Sequence, residues 1–416
     1  MPTATGSQAA VRPAKLLWIL FTSYFMFGMV LNVVGVIIPV LIKQYNLSLF
    51  AGGLLAFAFY IAFGVCSVPA GLVADRVGPR PVVLAGVFLM AAGCAAIPLA
   101  TSFGVTGIMA FAVGSGVALL QTAGNPLIQH LDRPENYHRN LTLTIGFCGI
   151  GAFLGPFLLN ALQSAGHSWH TLYFCFAVLC ALLLAMLALA RFPDREVVSG
   201  EKLRVGEIAR LLRHPIAITY SLAVFFYVGA EVGTASWIVK FFEKVHGVMA
   251  QTAGRADGGL SSFALPPLPV LTLSLYWGLQ GVGRLISGPG IQKLGPRTML
   301  RAYAMGALGC LLLAMFAATN VTAFAFAACG FFTSVLITLL FSGAIHSFKQ
   351  SQGAISGLLV TASIGGAIVP PLVGLAGDHF GMRAAMVVPA LCFLYVLVIS
   401  FIGKAKYEEE ESGAHS

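Results

Sequence analysis

The chain has 416 residues, of which 58% are hydrophobic and only 9% are charged, with a formal net charge of +9. Soluble domains carry about 25% charged residues, so this composition excludes a soluble enzyme and a disordered chain. The apolar runs are about 20 residues long and lack the alternation of barrel strands, which indicates membrane-spanning helices.

Twelve segments have the length and apolar character of a transmembrane helix, which needs roughly 17–25 mainly apolar residues. In chain order they are 16–42, 49–74, 82–101, 105–128, 142–164, 171–190, 215–239, 266–290, 300–318, 321–346, 354–376 and 384–403. The sequence therefore predicts an all-α membrane protein with 12 transmembrane helices.

The positions of Lys and Arg predict how these helices are oriented. With the N-terminus in the cytoplasm, 18 of the 24 basic residues lie inside, five lie outside and one lies within a span. This bias predicts an integral protein of the plasma (inner) membrane with both termini cytoplasmic. Because the basic residues are spread over short loops, the net charge reflects topology and predicts no nucleic-acid partner.

Short motifs repeat between the two halves of the chain. GxxxDRxGPR at 71–80 recurs as GxxxQKxGPR at 288–297, GAFLGP at 151–156 recurs as GAIVPP at 366–371, and FMFG at 25–28 more weakly matches FYVG at 226–229. We therefore predict a six-helix bundle over 1–190, a cytoplasmic linker over 191–214, and a second bundle with an acidic cytoplasmic tail over 215–416. This organisation resembles the major facilitator superfamily, which implies a substrate site between the halves near the bilayer midplane.

Asp75, Arg76 and Arg80 belong to the first of these motifs. The motif resembles the superfamily's signature in the loop between helices 2 and 3, which stabilises one closed state through charge contacts at the cytoplasmic face. The resemblance implies a gating role for these three residues. The alternative is a tight turn that carries topology charges.

Gln121 and Asn125 lie four residues apart on one face of the fourth span, beside Pro126. Proline lacks an N–H and so frees a carbonyl of the preceding turn. A broken turn with two amides offers both donors and acceptors, which suits the hydroxyl groups of a sugar. The alternative is a helix kink held by amide bonds between helices.

Glu231 in the seventh span is the one carboxylate among 15 that falls inside a predicted helix. A charge there costs at least about 2.5–3.5 kcal/mol, so Glu231 is expected to face the cavity and to bind a proton or hold a cation. Burial favours the protonated form, which suits a proton carrier. Tyr227 and Thr234 share its helix face, and Tyr227 is a candidate for substrate binding. The alternative is a structural carboxylate paired with Arg284 or hydrogen-bonded to a neighbouring helix.

Trp277, Gln280 and Arg284 share a face of the eighth span. An aromatic platform beside an amide suits a hexose ring, whereas Arg284 lies deeper toward the cytoplasm and is expected to gate. For Trp277 the alternative is a lipid-facing or packing role. Asn32, close to the repeat counterpart of Glu231, and Trp237 are further candidates for substrate binding.

Together these residues resemble the fucose permease branch of the major facilitator superfamily, the fucose–glucose–galactose:cation symporter group. The segments that carry the resemblance are YFMFGMVLNVVGVIIP (24–39), LQTAGNPLIQ (120–129), GIGAFLGP (149–156), FFYVGAEVG (225–233) and YWGLQGVGR (276–284). The resemblance implies a secondary active transporter that imports a hexose or deoxyhexose with H⁺ or Na⁺ by alternating access. The fucose permease has acids at the positions of Gly35 and Gln121, so Glu231 is expected to have taken over the coupling.

Three other functions stay open on the sequence. An exporter or antiporter of a more apolar compound, an uncoupled sugar facilitator, and a membrane protein without a transport role all fit the composition. The sequence contains nothing that resembles a catalytic triad, a P-loop or a metal site, so we predict neither an enzyme nor a cofactor. The major facilitator fold usually works as a monomer, which is our expectation here.

Overall fold

A computed structural model describes residues 13–131, 137–193, 210–249, 266–287, 293–348 and 352–402. Within these residues the regular structure is helical, with short 3₁₀ and π turns at some helix ends. Most of the predicted linker, part of the loop between the seventh and eighth spans, and the acidic tail lie outside the described residues.

Twelve membrane helices follow one another along the described chain, and four of them are broken into two segments. In the first half they are α1 (Pro13–Asn32 and Val34–Tyr45), α2 (Leu49–Val77), α3 (Pro79–Ala96), α4 (Phe103–His130), α5 (Tyr137–Ser164) and α6 (Trp169–Leu189). In the second half they are α7 (Pro215–Phe241), α8 (Leu268–Ile286), α9 (Pro296–Phe316), α10 (Thr319–Thr333 and Leu336–Ser347), α11 (Gln352–Ala362 and Gly365–Phe380) and α12 (Met382–Ala385 and Val387–Ile402).

Eleven segments of the described residues are long and apolar enough to cross a membrane, and each coincides with a predicted span. The remaining predicted span forms α8, which is less apolar because it carries Thr272, Ser274, Gln280 and Arg284. The first three of these side chains are buried against protein. The prediction of an all-α membrane protein is therefore confirmed, and α8 marks where polar groups collect inside it.

Glycine and serine set several helix ends. Gly78 ends α2 with φ 88°, and Gly295 and Gly381 adopt the same left-handed backbone, with φ 77° and φ 80°, just before α9 and α12. Ser48 and Ser102 cap α2 and α4, because their hydroxyl oxygens accept hydrogen bonds from the third amide of each helix. The sharp turns therefore need only short connections.

Glycines let α1 and α5 touch backbone to backbone. A methyl group added at Gly151 would overlap the carbonyl oxygen of Phe25. The second half repeats this contact between α7 and α11, where a methyl group on Gly365 would overlap the carbonyl oxygen of Phe225. The sequence match had paired Gly151 with Gly366, so the equivalent contact lies one residue earlier than the motif suggested.

A second close contact also occurs at equivalent positions in both halves. Gly114 of α4 lies against the carbonyl of Phe59 in α2, and Gly330 of α10 lies against the carbonyl of Tyr276 in α8. Close packing of small residues is how membrane helices associate without a hydrophobic driving force between them. The two halves therefore share both their helix order and their closest contacts.

Several helices are broken near the middle of their length, which corresponds to the middle depth of a membrane-spanning helix. Tight turns interrupt α1 at Val33, α10 at Ser334 and α11 at Ser363, where the amides of Val36, Ser334 and Ser363 bond to the carbonyl three residues earlier. Discontinuous helices at this depth commonly surround a binding site, because their freed carbonyls need partners.

The contact between α1 and α5 yields a test of packing. Gly151→Ala should lower the thermal stability of the detergent-purified protein, because the added methyl meets backbone and overpacking typically costs about 1–3 kcal/mol. Gly309→Ala in α9 is the matched control, since nothing lies within 4 Å of a methyl group there. Equal melting temperatures for the two variants would contradict the packing described.

Candidate functional site

The carboxylate of Glu231 lies in α7 with only 9% of the residue exposed, and it joins α7 to α8. The hydroxyl of Tyr227 donates to Glu231 Oε1 at 2.6 Å, and the side-chain amide of Gln280 donates to the same oxygen. Arg284 Nη2 lies 3.8 Å from that oxygen. Three donors, one of them cationic, therefore converge on one buried carboxylate oxygen.

The break in α10 completes this cluster. Tyr227 Oη lies 2.9 Å from the carbonyl oxygen of Thr333, and Arg284 Nε donates to the carbonyl of Ser334 at 3.0 Å. Gln280 Nε2 also lies 3.4 Å from Thr333 Oγ1. The interrupted turn thus presents backbone carbonyls to the same side chains that hold Glu231, so α7, α8 and α10 meet in one polar network.

Tyr227 has one hydroxyl proton and two acceptors within reach. When Glu231 is ionised, this proton goes to the carboxylate. When Glu231 is protonated, its own O–H can donate to Tyr227, which then donates to the Thr333 carbonyl. The geometry therefore satisfies both protonation states without moving a backbone.

The structure brings together four predicted residues, namely Tyr227, Glu231, Gln280 and Arg284. The alternative interpretation named a pairing of Glu231 with Arg284 or a hydrogen bond to a neighbouring helix, and both contacts are present. Arg284 therefore lies beside the coupling candidate, although the sequence analysis predicts a separate gating role for it.

Sequence reasoning missed three members of the cluster. Thr333 and Ser334 supply the α10 carbonyls, and the hydroxyl of Tyr276 donates to the backbone carbonyl of Glu231 at 3.1 Å. A mid-span Thr-Ser pair was the available signal, but neither residue predicts a helix break. A pattern of side chains cannot reveal which backbone carbonyls are free.

The other substrate-binding candidates lie elsewhere in the helices. Asn32 Nδ2 donates to the Gly28 carbonyl of its own helix at 2.9 Å, and Trp237 Nε1 donates to the Pro370 carbonyl of α11 at 2.9 Å. Asn125 Oδ1 accepts from the hydroxyl of Tyr24 in α1, and Gln121 is half-buried one turn before it. The contacts of Asn125 and Trp237 connect helices, whereas that of Asn32 stays within α1.

Trp277 is buried, and its indole N–H has no hydrogen-bond partner among the described residues. Its ring packs edge-on against that of Tyr276, with centroids 5.2 Å apart. An unsatisfied N–H in an apolar interior is costly. The ring is therefore not lipid-facing, and its donor is left for a ligand or a solvent molecule.

The three gating candidates of the first half do not share one set of contacts. Arg80 Nη2 donates to the Ala188 carbonyl at 3.0 Å, near the end of α6, and its guanidinium lies 5.8 Å from the centroid of the Phe192 ring. Arg76 is exposed. The side chain of Asp75 lies outside the part of the chain that the structure describes. The contacts of Arg80 thus stay within the first half.

Residues 20–358 match the profile of the Major Facilitator Superfamily. The chain belongs to this superfamily. A putative glucose/galactose transporter of Helicobacter pylori strain J99 is 28% identical over 94% of this chain and 96% of its own length. The L-fucose-proton symporter of Escherichia coli K12 is 26% identical over 95% of this chain and 94% of its own length.

The crystal structure of the E. coli fucose:proton symporter FucP has a related fold. It superposes with a TM-score of 0.64 at 23% sequence identity, and it covers 93% of this chain and 98% of the symporter. The major facilitator fold predicted from the sequence is therefore confirmed.

The Glu231–Arg284 pair yields a test of the network. Arg284→Met should destabilise the protein by about 1–3 kcal/mol, less than the ~3–5 kcal/mol of a fully buried pair, because the guanidinium is 25% exposed. The double variant Glu231→Gln with Arg284→Met should recover part of this loss, since no uncompensated carboxylate remains. Thermal unfolding of both variants checks the coupling, and strictly additive losses would refute it.

Proposed function

We propose that this chain is a secondary active transporter that imports a monosaccharide, a hexose or deoxyhexose, together with a cation by alternating access. The observation that carries the proposal is the buried, ionisable Glu231 at the meeting point of three helices. Full-length similarity to a glucose/galactose transporter and to an L-fucose-proton symporter supports the sugar as substrate.

The chemistry around Glu231 favours H⁺ over Na⁺ as the coupled ion. Hard metal cations bind through several oxygen ligands. Glu231 Oε1 instead faces the hydrogen-bond donors of Tyr227, Gln280 and Arg284. A proton needs only the carboxylate and an acceptor for its own bond, which Tyr227 provides. The similarity to the L-fucose-proton symporter of E. coli agrees with this choice.

The structure also gives a reason why coupling would depend on Glu231 here. Gly35 stands where the fucose permease has an acid. A methyl group at Gly35 would lie 2.6 Å from the Ala235 carbonyl oxygen and 2.9 Å from the Leu273 side chain. An acidic side chain does not fit in that space in this conformation, which supports Glu231 as the coupling residue.

For the sugar we propose contacts with Gln121, Asn125 and Trp277. The unpartnered indole N–H of Trp277 offers a donor, and the amides of α4 offer donors and acceptors. Gln280 and Tyr227 would bind the sugar only by exchanging their bonds to Glu231. Such an exchange would link sugar binding to the protonation of the carboxylate.

Asn32 and Trp237 stay candidates in this proposal, with roles in shaping the cavity through the α1 break and the α11 carbonyl. We further propose gating by Asp75, Arg76, Arg80 and Arg284, an inner-membrane location with both termini cytoplasmic, and a monomeric transporter of two six-helix halves, 1–190 and 215–416, joined by the linker 191–214.

Counterflow in proteoliposomes tests the proposed function. Labelled glucose, galactose and fucose are offered to vesicles loaded with the unlabelled sugar, first without a gradient and then with separate H⁺ and Na⁺ gradients. We expect saturable exchange of at least one sugar, and accumulation driven by the H⁺ gradient. Exchange without accumulation would identify an uncoupled facilitator, and the absence of exchange would favour an exporter of apolar compounds.

Glu231→Gln should abolish accumulation driven by the gradient while counterflow continues, because the amide still accepts hydrogen bonds but carries no transported proton. Tyr227→Phe should slow accumulation without abolishing it. Tyr303→Phe is the matched control, since it removes a tyrosine hydroxyl that bonds Ser287 at 3.0 Å and not Glu231 or its partners. Full accumulation by the Glu231→Gln protein would remove Glu231 from coupling.

Gln121→Ala should weaken sugar affinity in counterflow by about twofold to thirteenfold, the effect of one lost hydrogen bond of roughly 0.5–1.5 kcal/mol. Expression should stay normal, because Gln121 is only half-buried. Gln163→Ala, at the end of α5, is the matched control. Unchanged affinity in the Gln121→Ala protein would make the residue structural.

A further inference from the structure

The two halves of the protein are joined by a carboxylate at one membrane face. Asp378, near the end of α11, accepts a hydrogen bond on each oxygen from the backbone amides of Leu49 and Phe50, the first two residues of α2, both at 2.8 Å. These amides have no partner inside their own helix. We call the face that carries this contact the outer face, following the orientation predicted from Lys and Arg.

The helices approach each other closely around this contact. A methyl group on Gly374 would overlap the backbone carbonyl of Leu49, and one on Gly53 would lie 2.7 Å from the Cα atom of Pro371. Backbone therefore meets backbone between α2 and α11, and the carboxylate of Asp378 reaches across the seam. When the two halves separate at this face, both hydrogen bonds must break.

The residues around Asp378 have the spacing of the motif that precedes α3. Gly374, Asp378, Gly381 and Arg383 are separated by four, three and two residues, as are Gly71, Asp75, Gly78 and Arg80. The turn is also the same, since Gly381 has φ 80° and ψ 159° and Gly78 has φ 88° and ψ 168°. The pattern thus recurs between α11 and α12, at the opposite membrane face.

We propose that Asp378 is a positioning residue of the transport cycle, which holds the outer face closed by capping the N-terminus of α2. A carboxylate suits this position, because the free amides and the helix dipole both favour negative charge. This role in the cycle rests on the proposed transport function. Its contact does not involve Glu231, α4 or α8.

Energy transfer between two dyes tests this inference without any substrate. The dyes are attached through a non-natural amino acid at positions 43 and 380, which avoids the eight native cysteines. Both native side chains at these positions are exposed, on opposite sides of the seam. We expect the wild-type protein to show mainly the short distance. Asp378→Asn should raise the long-distance fraction about fivefold, within the range of one lost hydrogen bond, because the amide keeps one acceptor oxygen and turns an N–H group toward the other backbone donor.

Two further variants separate gating from simple loss of helix stability. Ser48→Ala removes the cap that Ser48 gives to Ala51 at 3.1 Å within the same half, so it should leave the distance distribution unchanged. Phe50→Pro removes one of the two donors from the opposite side. Phe50 lies in the first turn of α2, where its amide has no partner inside the helix, and the substitution should shift the distribution as Asp378→Asn does.

Wild-type distances in both Asp378→Asn and Phe50→Pro would overturn the inference, and so would an equal shift in Ser48→Ala. If Asp378→Asn does not fold, Phe50→Pro alone decides the question. Because no sugar is present, these outcomes are independent of the counterflow result.

Discussion

The structure depends on one buried carboxylate. Glu231 lies where an unsatisfied charge costs several kcal/mol, so the surrounding helices must supply donors. Tyr227 comes from its own helix, Gln280 and Arg284 come from α8, and the broken turn of α10 provides carbonyls that orient Tyr227 and Arg284. A network of this kind fixes three helices relative to one another. Its hydrogen bonds can be satisfied whether the carboxylate of Glu231 is ionised or protonated.

Close glycine contacts explain how this network can be kept while the two halves move relative to each other. Within each half, α1 and α5 or α7 and α11 meet backbone to backbone, so each half can behave as a compact body. The network of Glu231 belongs to the second half alone. Motion between the halves therefore requires changes at contacts such as the seam of α2 and α11, and the polar cluster can move with its own half. This arrangement suits rocking about a site near the midplane.

The resemblance to the fucose permease branch implies an acid in the first helix, at the position of Gly35. The first helix lacks an acid at Gly35, and α7 fills the space that such a side chain would need. The buried carboxylate of Glu231 instead contacts Gln280 and Arg284 of α8. Within the described residues, the candidate site is therefore asymmetric between the halves, although the helix packing is symmetric.

Much of the fold was predictable, because its cause is local. The length of each apolar run decides whether a helix spans the membrane, and the single acid inside a span identified Glu231. Helical spacing also placed Tyr227 with Glu231 and Gln280 with Arg284. The sequence could not show that the oxygen of one carboxylate receives all three donors, that α10 breaks at Ser334, or that Asp378 caps α2, 329 positions away from Leu49. These contacts join helices distant in the chain, and only packing decides which backbone groups are free to bind.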